Sequence, residues 1–569
     1  MKQSIFCLFL IYSLSTVAQY KNFEPLTLAD TAMDGYLQRK SQAILTIRII
    51  NAPDTIMKVP VKCTFVGFGS NLQSSKFYEL NKYGFVRIVL DARLPFQQVW
   101  LSIDHYIYAG LYVNDGLNVT IDARKIKDAD GFYMIGDGVE YSGIDGELNR
   151  WMNKKVVYKQ ELKNTLSSKF NELSRTKRTY NEGEFLFKFD SVYQAINRIA
   201  DEFIAQYPSS RAVVQNQLMA EYFGNLCVAY WGDKMPDSLF RKINAFSPYF
   251  SSNEGVIFYN YLFHYLIYKK DNPKFNIDDQ LYINYSNYNP ERKTLLDSLK
   301  YYSQLPDIEK NAALKNISKK KQDLFHTEMV RINNGHLLKL IDSLYLSPKS
   351  DILKIFLLDK GKNAFSQTYP EIIKSMKTGW CRNIAMAELK QATLKQKQID
   401  SLLANETQIK ESNLFIGKPL GSLPFNANLY RLDSIKNLDD FIVNLKSKFI
   451  NKALVIDFWA TWCVPCLKEL PASKKLEESN KDLPIVFIYI CTNSSSNVTV
   501  WKNKIADLQL PGTHIFADDK LVSDLQRKFN SEGGFPTYVV IDINGKLKPK
   551  AIEWMHTLDR DKLKNAVGL

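Results

Sequence analysis

The chain has 569 residues, of which 45% are hydrophobic and 24% are charged. This composition excludes a disordered or low-complexity protein, and the length predicts roughly three domains. The formal net charge is +14, but the cations are spread along the chain without a basic tail, which argues against nucleic acid as a partner.

The first 18 residues have the pattern of a secretory signal peptide. Lys2 precedes an apolar stretch over 5–14, and the small residues Thr16 and Ala18 stand at the spacing of a cleavage site. The stretch is shorter than the roughly 20 residues that a membrane span needs. We predict a signal peptide over 1–18, no transmembrane span in the mature chain, and a location in the periplasm or cell envelope, where disulfides persist.

Residues 19–130 have the alternation of β-strands. Apolar and polar residues alternate in ILTIRII at 44–50, and Asp115-Gly116 lies between two apolar runs like a hairpin turn. We predict an N-terminal antiparallel β domain that resembles a sandwich.

Residues 143–413 have the apolar spacing of helices. Val192, Ile196 and Phe203 fall on one face of a predicted helix, which should stop before Pro208. We predict a central all-α region over this range.

Glycine and proline residues interrupt the helical pattern in SNLFIGKPLGSLP at 412–424 and predict a domain boundary there. Strands and helices then alternate, beginning with the apolar run ALVIDFWA at 453–460. This alternation predicts a C-terminal α/β domain over 415–569, with a central sheet and helices on both faces.

Two cysteines in WATWCVPC, Cys463 and Cys466, directly follow that apolar run. A zinc site would need two more cysteine or histidine ligands, and the sequence offers no second close pair. A structural bridge over two residues would stabilise little, so a redox pair explains more. Cys463 would begin a helix, whose free amide N–H groups favour a thiolate. We predict Cys463 as nucleophile and Cys466 as resolving thiol, with no metal or organic cofactor.

Three further residues belong to the predicted site. Asp457 interrupts a buried strand, and because a lone buried carboxylate is costly we predict a proton acceptor near Cys466. Glu469 lies on the same helical face as Cys466 and either shares that role or is an ordinary exposed glutamate. Pro536 follows a glycine pair at a strand start, which suits a cis peptide that exposes the Phe535 backbone to an extended substrate.

The segments VIDFWATWCVPC, LKELP and GGFPTYVVIDINGK resemble the thioredoxin superfamily, and within it the secreted bacterial TlpA-type thiol:disulfide oxidoreductases. The resemblance covers 415–569 and implies a thioredoxin fold there. It also implies roles for five residues: attack by Cys463, resolution by Cys466, a buried carboxylate at Asp457, an active-site glutamate at Glu469 and a cis-proline at Pro536.

Together these patterns predict an envelope thiol:disulfide oxidoreductase. We expect it to reduce disulfides of exported proteins, to contact them through Trp462, Phe535 and Pro536, and to be reset by a membrane-bound thiol electron donor. Two alternatives stay open: a disulfide oxidase or isomerase, and a non-catalytic envelope binding or scaffold protein that carries an accessory thioredoxin domain.

Overall fold

The computed structural model describes residues 42–52, 60–66, 73–90, 98–103, 107–113, 115–125, 138–248, 252–269, 276–358, 365–409 and 414–569. The predicted signal peptide lies outside these ranges. The chain divides into two compact units, one made of Met1–Asn289, Thr327–Lys360 and Gln367–Glu388, the other of Pro290–His326, Gly361–Ser366 and Leu389–Leu569. The predicted domain bounds stay predictions.

The first unit begins with a β-sandwich, which confirms the predicted β domain. Its two four-stranded sheets have the orders β4-β1-β7-β8 and β3-β2-β5-β6. Apolar side chains from both sheets alternate inward and form one core. The strands are β1 Ile44–Ile50, β2 Val61–Val66, β3 Gln73–Tyr78, β4 Phe85–Val89, β5 Gln98–Ile103, β6 Ile107–Tyr112, β7 Gly116–Asp122 and β8 Val139–Ser142.

Two features of the sandwich differ from the prediction. The pairing of β1 with β7 is parallel, whereas the other pairs are antiparallel. The hairpin predicted at Asp115-Gly116 is wrong, because β6 and β7 lie in different sheets. The chain instead crosses from one sheet to the other at this point. The side chain of Asp145 stabilises the crossing, because its Oδ2 accepts hydrogen bonds from the amides of Asp115 and Gly116, both at 2.9 Å.

The central region is helical, as predicted. The predicted apolar face, with Val192, Ile196 and Phe203, is buried, and its helix ends at Gln206, before Pro208. The helices are Gly146–Val157, Gln160–Thr176, Glu182–Gln206, Arg211–Ala229, Asp237–Ala245, Asn253–Tyr268, Ile277–Ile283, Pro290–Ser303, Asp307–Leu344, Lys349–Ile355, Phe365–Ser375 and Gly379–Ala404.

The C-terminal part of the second unit is an α/β domain around a seven-stranded sheet of order β15-β14-β11-β12-β13-β10-β9. The central pairs are parallel, and β9, β14 and β15 are antiparallel to their neighbours. The strands are β9 Lys418–Leu423, β10 Ala427–Leu432, β11 Ala453–Trp459, β12 Ile485–Thr492, β13 Gly512–Ala517, β14 Thr537–Ile541 and β15 Leu547–Pro549.

Helices cover both faces of this sheet, as predicted, and each face has its own apolar core. Every residue of β11 is buried, which explains why its sequence is an almost unbroken apolar run. The helices of this domain are Leu438–Lys448, Val464–Ser479, Val498–Leu508, Asp519–Lys528 and Arg560–Val567.

The segment before β9 is attached to this domain. Thr407 and Ser422 exchange backbone hydrogen bonds of 2.9 and 2.8 Å, and Lys502 Nζ donates to both carboxylate oxygens of Glu406 at 2.7 Å. Gly421 leaves room for this contact, because a Cβ atom there would lie 2.1 Å from Glu406 Oε1.

Within the described ranges, no helix is both long and apolar enough to cross a membrane.

Candidate active site

The two predicted redox cysteines lie where β11 ends and a helix begins. Cys463 is the N-cap residue of helix Val464–Ser479, and Pro465 occupies its first turn, where the missing N–H costs no hydrogen bond. Cys463 and Cys466 form a disulfide, and Cys463 Sγ accepts a hydrogen bond from the Cys466 amide at 3.1 Å. The sulfur therefore lies among the free amide groups of a helix N-terminus, which stabilise negative charge.

An apolar surface adjoins the disulfide. Trp462 and Val464 are exposed by 51% and 61%, and the Trp462 ring meets the edge of Phe535 with 6.1 Å between centroids. The peptide bond between Phe535 and Pro536 is cis, as predicted. Trp462 Nε1 donates to Ser494 O at 2.7 Å, which fixes the indole. The structure thus brings Trp462 and Phe535 together on one surface.

Asp457 lies inside the domain with only 1% of its surface exposed. Neither carboxylate oxygen has a hydrogen-bond partner among the described residues. Burial, with a smaller contribution from the nearby charge of Glu469, raises the pKa of Asp457 from 3.8 to about 8. The carboxyl group is therefore mostly protonated at neutral pH and ready to exchange its proton.

Glu469 is buried, with 6% of its surface exposed, so the alternative of an exposed helix glutamate is wrong. Both of its oxygens contact one residue, His556: the His556 amide donates to Oε2 at 3.2 Å, and the His556 Nδ1 atom lies 2.6 Å from Oε1. This double contact holds the carboxylate in place. The catalytic roles of Asp457 and Glu469 stay predictions.

Sequence reasoning missed His556 and Tyr538 as members of this site. His556 lies 87 residues from its partner Glu469, and no local pattern marks it. Tyr538 pairs directly with Asp457 across β11 and β14, and its buried hydroxyl has no hydrogen-bond partner among the described residues. Burial, then the charges of Asp457 and Glu469, raise the pKa of Tyr538. The predicted strand after Pro536 was the signal that could have suggested Tyr538.

Replacing Glu469 by Gln should lower the pKa of Asp457 below its value of about 8, because one like charge is removed while burial persists. Titration of the Asp457 carboxyl carbon by NMR measures this directly. Glu478→Gln on the same helix, at an exposed position paired with Lys474, is the matched control and should leave that titration unchanged. An unaltered Asp457 titration in Glu469→Gln would show that burial alone sets the pKa.

No group of three or more His, Cys, Asp or Glu residues suited to a metal ion occurs in the ranges that the structure covers. Four other cysteines, Cys63, Cys227, Cys381 and Cys491, are buried and unbridged. Their burial fits small apolar residues of the core.

These features define a domain for thiol-disulfide exchange. They are a buried strand, a helix that starts with a disulfide, and a cis-proline before the neighbouring strand. Residues 434–567 match the family model described as Redoxin.

Two curated proteins and one solved structure are similar to this domain. The chain is 32% identical over 93 residues to thioredoxin of Coprinus comatus, covering 16% of this chain and 80% of that protein. It is 28% identical over 135 residues to the thiol-disulfide oxidoreductase ResA of Bacillus cereus, covering 22% and 75%. The thioredoxin domain of a thiol-disulfide oxidoreductase from Bacteroides vulgatus is 25% identical, with 21% of this chain and 81% of that chain covered and a TM-score of 0.18.

The chain therefore belongs to the thioredoxin superfamily, through a TlpA/ResA-like C-terminal domain. This confirms the predicted fold class and identifies the domain as a thiol-disulfide oxidoreductase domain.

Proposed function

We propose that the protein reduces disulfides of exported proteins in the periplasm or cell envelope. One observation supports this most directly: Cys463 Sγ lies at a helix N-terminus and accepts a hydrogen bond from the Cys466 amide. This position stabilises the thiolate that must attack a substrate disulfide. The similarity to a thiol-disulfide oxidoreductase of Bacillus cereus supports the same class of reaction.

The reaction has two exchanges of sulfur. The Cys463 thiolate attacks one sulfur of the substrate disulfide, so a mixed disulfide forms and the other substrate sulfur leaves as a thiolate. The Cys466 thiolate then attacks Cys463 Sγ, and the second substrate sulfur leaves. Two electrons have passed to the substrate, and the oxidised Cys463–Cys466 pair must be reduced again. We propose a membrane-bound thiol electron donor for that step.

Asp457 supports the second exchange as a proton acceptor. Cys466 is 1% exposed, so water has little access to its thiol. A carboxyl group with a pKa of about 8 is present in both protonation states near neutral pH, and it can take the thiol proton and return it later. Glu469, held by His556, adds to the raised pKa of Asp457.

The substrate is an unfolded or extended segment. Trp462 and Val464 offer an exposed apolar surface beside Cys463, and Phe535-Pro536 precedes β14 at the same end of the domain. An extended chain that carries an apolar side chain next to its cysteine would contact this surface while its disulfide reaches Cys463.

The reduction potential of the Cys463–Cys466 pair tests the proposed direction of reaction. We expect about −270 mV, as for thioredoxin, whereas a value of roughly −180 to −120 mV would indicate an isomerase or oxidase. The full-length protein is equilibrated in defined thiol buffers while tryptophan fluorescence is followed, because Trp462 neighbours the disulfide. A Cys463→Ser variant, which cannot form the disulfide, provides the control fluorescence signal. Absence of any titration would favour the non-catalytic binding protein.

A further inference from the structure

A single turn, Met555–Thr557, contacts the active site from the segment before the last helix. Its first residue, Met555, is fully buried and belongs to the same apolar core as the two redox cysteines. The Thr557 hydroxyl donates to the Trp554 carbonyl at 2.8 Å, which closes the turn. The buried Met555 and the closed turn hold the middle residue, His556, beside the helix of the redox cysteines.

His556 contacts both carboxyl oxygens of Glu469. Its backbone amide donates to Oε2 at 3.2 Å, and its Nδ1 atom lies 2.6 Å from Oε1. The His556 side chain is 61% exposed, whereas the Glu469 side chain is 8% exposed. A substitution at His556 therefore removes little packing from the core but changes what holds the buried Glu469.

Asp457 interacts with Glu469 but has no such contact. Burial and, after it, Glu469 raise the pKa of Asp457, so the two carboxyl groups are close enough to influence each other. Neither oxygen of Asp457 has a hydrogen-bond partner in the part of the chain that the structure describes. An unpartnered buried polar group is costly. A second carboxyl group nearby is a suitable partner for it, because two adjacent carboxyl groups share one proton.

We propose that His556 is a positioning residue for the exchange reaction. By binding both oxygens of Glu469, it keeps that carboxyl group from pairing with Asp457, and Asp457 remains available to the Cys466 thiol. The inference rests on the proposed role of Asp457 as proton acceptor in the second exchange. It adds the residue that keeps this acceptor from being occupied by its neighbour.

Pairing of the two carboxyl groups would slow the second exchange. In that step Asp457 takes the proton of the Cys466 thiol, the thiolate attacks Cys463 Sγ, and the substrate sulfur leaves as a thiolate. If Asp457 instead shared a proton with Glu469, it would give that proton up only at higher pH. Fewer Asp457 groups would then be ionised near neutral pH and able to accept the thiol proton.

Replacing His556 tests this role through the titration of the Asp457 carboxyl carbon by NMR. His556→Ala keeps the backbone amide at Glu469 Oε2 but frees Oε1, so the pKa of Asp457 should rise above its value of about 8. His556→Asn should leave that pKa unchanged, because its side-chain amide can donate from near the position of Nδ1. Glu553→Gln, at an exposed position of the same segment, is the control for a change of charge and should also leave it unchanged.

The double variant His556→Ala/Glu469→Gln shows whether His556 acts through Glu469. Glu469→Gln alone should lower the pKa of Asp457, and the double variant should lower it too, because the carboxyl group that would share the proton is gone. A pKa of Asp457 that falls or stays the same in His556→Ala would overturn the proposal. So would a pKa that rises in the double variant as much as in His556→Ala.

Stopped-flow reaction of the reduced full-length protein with dithiobis(nitrobenzoate) measures the second exchange. Attack by Cys463 releases the first thionitrobenzoate, and resolution by Cys466 releases the second. At pH 7, His556→Ala should slow the second release about tenfold, less than the roughly 100-fold expected when the acceptor itself is removed. The loss should shrink as pH rises, because Asp457 then ionises, and His556→Asn should resolve at the wild-type rate. A loss that persists at every pH, or an equal loss in His556→Asn, would contradict the positioning role.

The two measurements separate failure of this role from failure of the proposed function. A reduced wild type that releases no thionitrobenzoate would refute the exchange reaction and the role of His556 with it. Normal release by the wild type with an unshifted Asp457 titration in His556→Ala would refute the role of His556 alone. If His556→Ala fails to fold, His556→Leu, which also lacks a side-chain donor, takes its place.

Discussion

Replacing Cys466 by Ser should lower disulfide reduction by more than about 1,000-fold and trap the protein in a covalent complex with its substrates. Cys463 can still attack, but no neighbouring thiol resolves the mixed disulfide. Non-reducing gel electrophoresis of the full-length variant from an envelope extract measures the trapped adducts, and insulin reduction measures the rate.

The matched controls separate attack from resolution. Cys463→Ser should lose the same activity but form no adduct, because the attacking sulfur is absent. Cys491→Ser removes a buried free cysteine of the same domain and should retain both activity and resolution. Adducts formed by Cys463→Ser, or normal turnover by Cys466→Ser, would contradict the assigned order of attack.

Replacing Asp457 by Asn should remove a pH dependence from the stability of the C-terminal domain. Burial raises the folded-state pKa of Asp457 from 3.8 to about 8, so the folded protein binds this proton more tightly than the unfolded chain does. The stabilisation is present below about pH 4 and is lost as pH rises through about 8. The full loss is on the order of 5 kcal/mol.

Calorimetry of the full chain at pH 5 and pH 9 measures this loss of stability. The unfolding transition of the C-terminal domain is recognised because it shifts when the disulfide is reduced. The Asn variant should lose less stability between the two pH values than the wild type, although its amide also lacks partners and costs about 1–3 kcal/mol at both. Asp440→Asn, at an exposed position, should behave like the wild type. Parallel pH profiles for Asp457→Asn and the wild type would refute the raised pKa.

The Asp457→Asn variant should also reduce insulin about 100-fold more slowly than the wild type. This factor is the lower end of what a positioned proton acceptor contributes to a rate. An unchanged rate would leave Asp457 as a buried carboxyl without a catalytic role.

The parts of the C-terminal domain that could be predicted from the sequence are those encoded by neighbouring residues. The run at 453–459 predicted a buried strand, and the proline and cysteines after it predicted a helix start. β9 was missed because Pro419 and Gly421 looked like a break between domains. Its place at the sheet edge explains this, since an edge strand tolerates proline where one side makes no ladder hydrogen bonds.

Long-range contacts account for the other omissions. The contact between His556 and Glu469 depends on how the segment before the last helix returns to helix Val464–Ser479, and no periodicity encodes this. The hairpin at Asp115-Gly116 failed for a similar reason. A turn-forming pair between apolar runs fits a hairpin and a crossing between two sheets equally well, and only the packing of the sandwich decides.

The attachment of Glu406 and Thr407 affects how the domain can be isolated. Ser422 lies in the edge strand β9, and its backbone groups are paired with Thr407; Ile399, Leu402 and Leu403 also pack against the domain core. A fragment beginning at 415 would lose these contacts and leave an unprotected strand edge, which favours aggregation through intermolecular strand pairing. A soluble fragment for redox measurements should therefore begin near Leu389, where the second unit resumes, so that these contacts are kept.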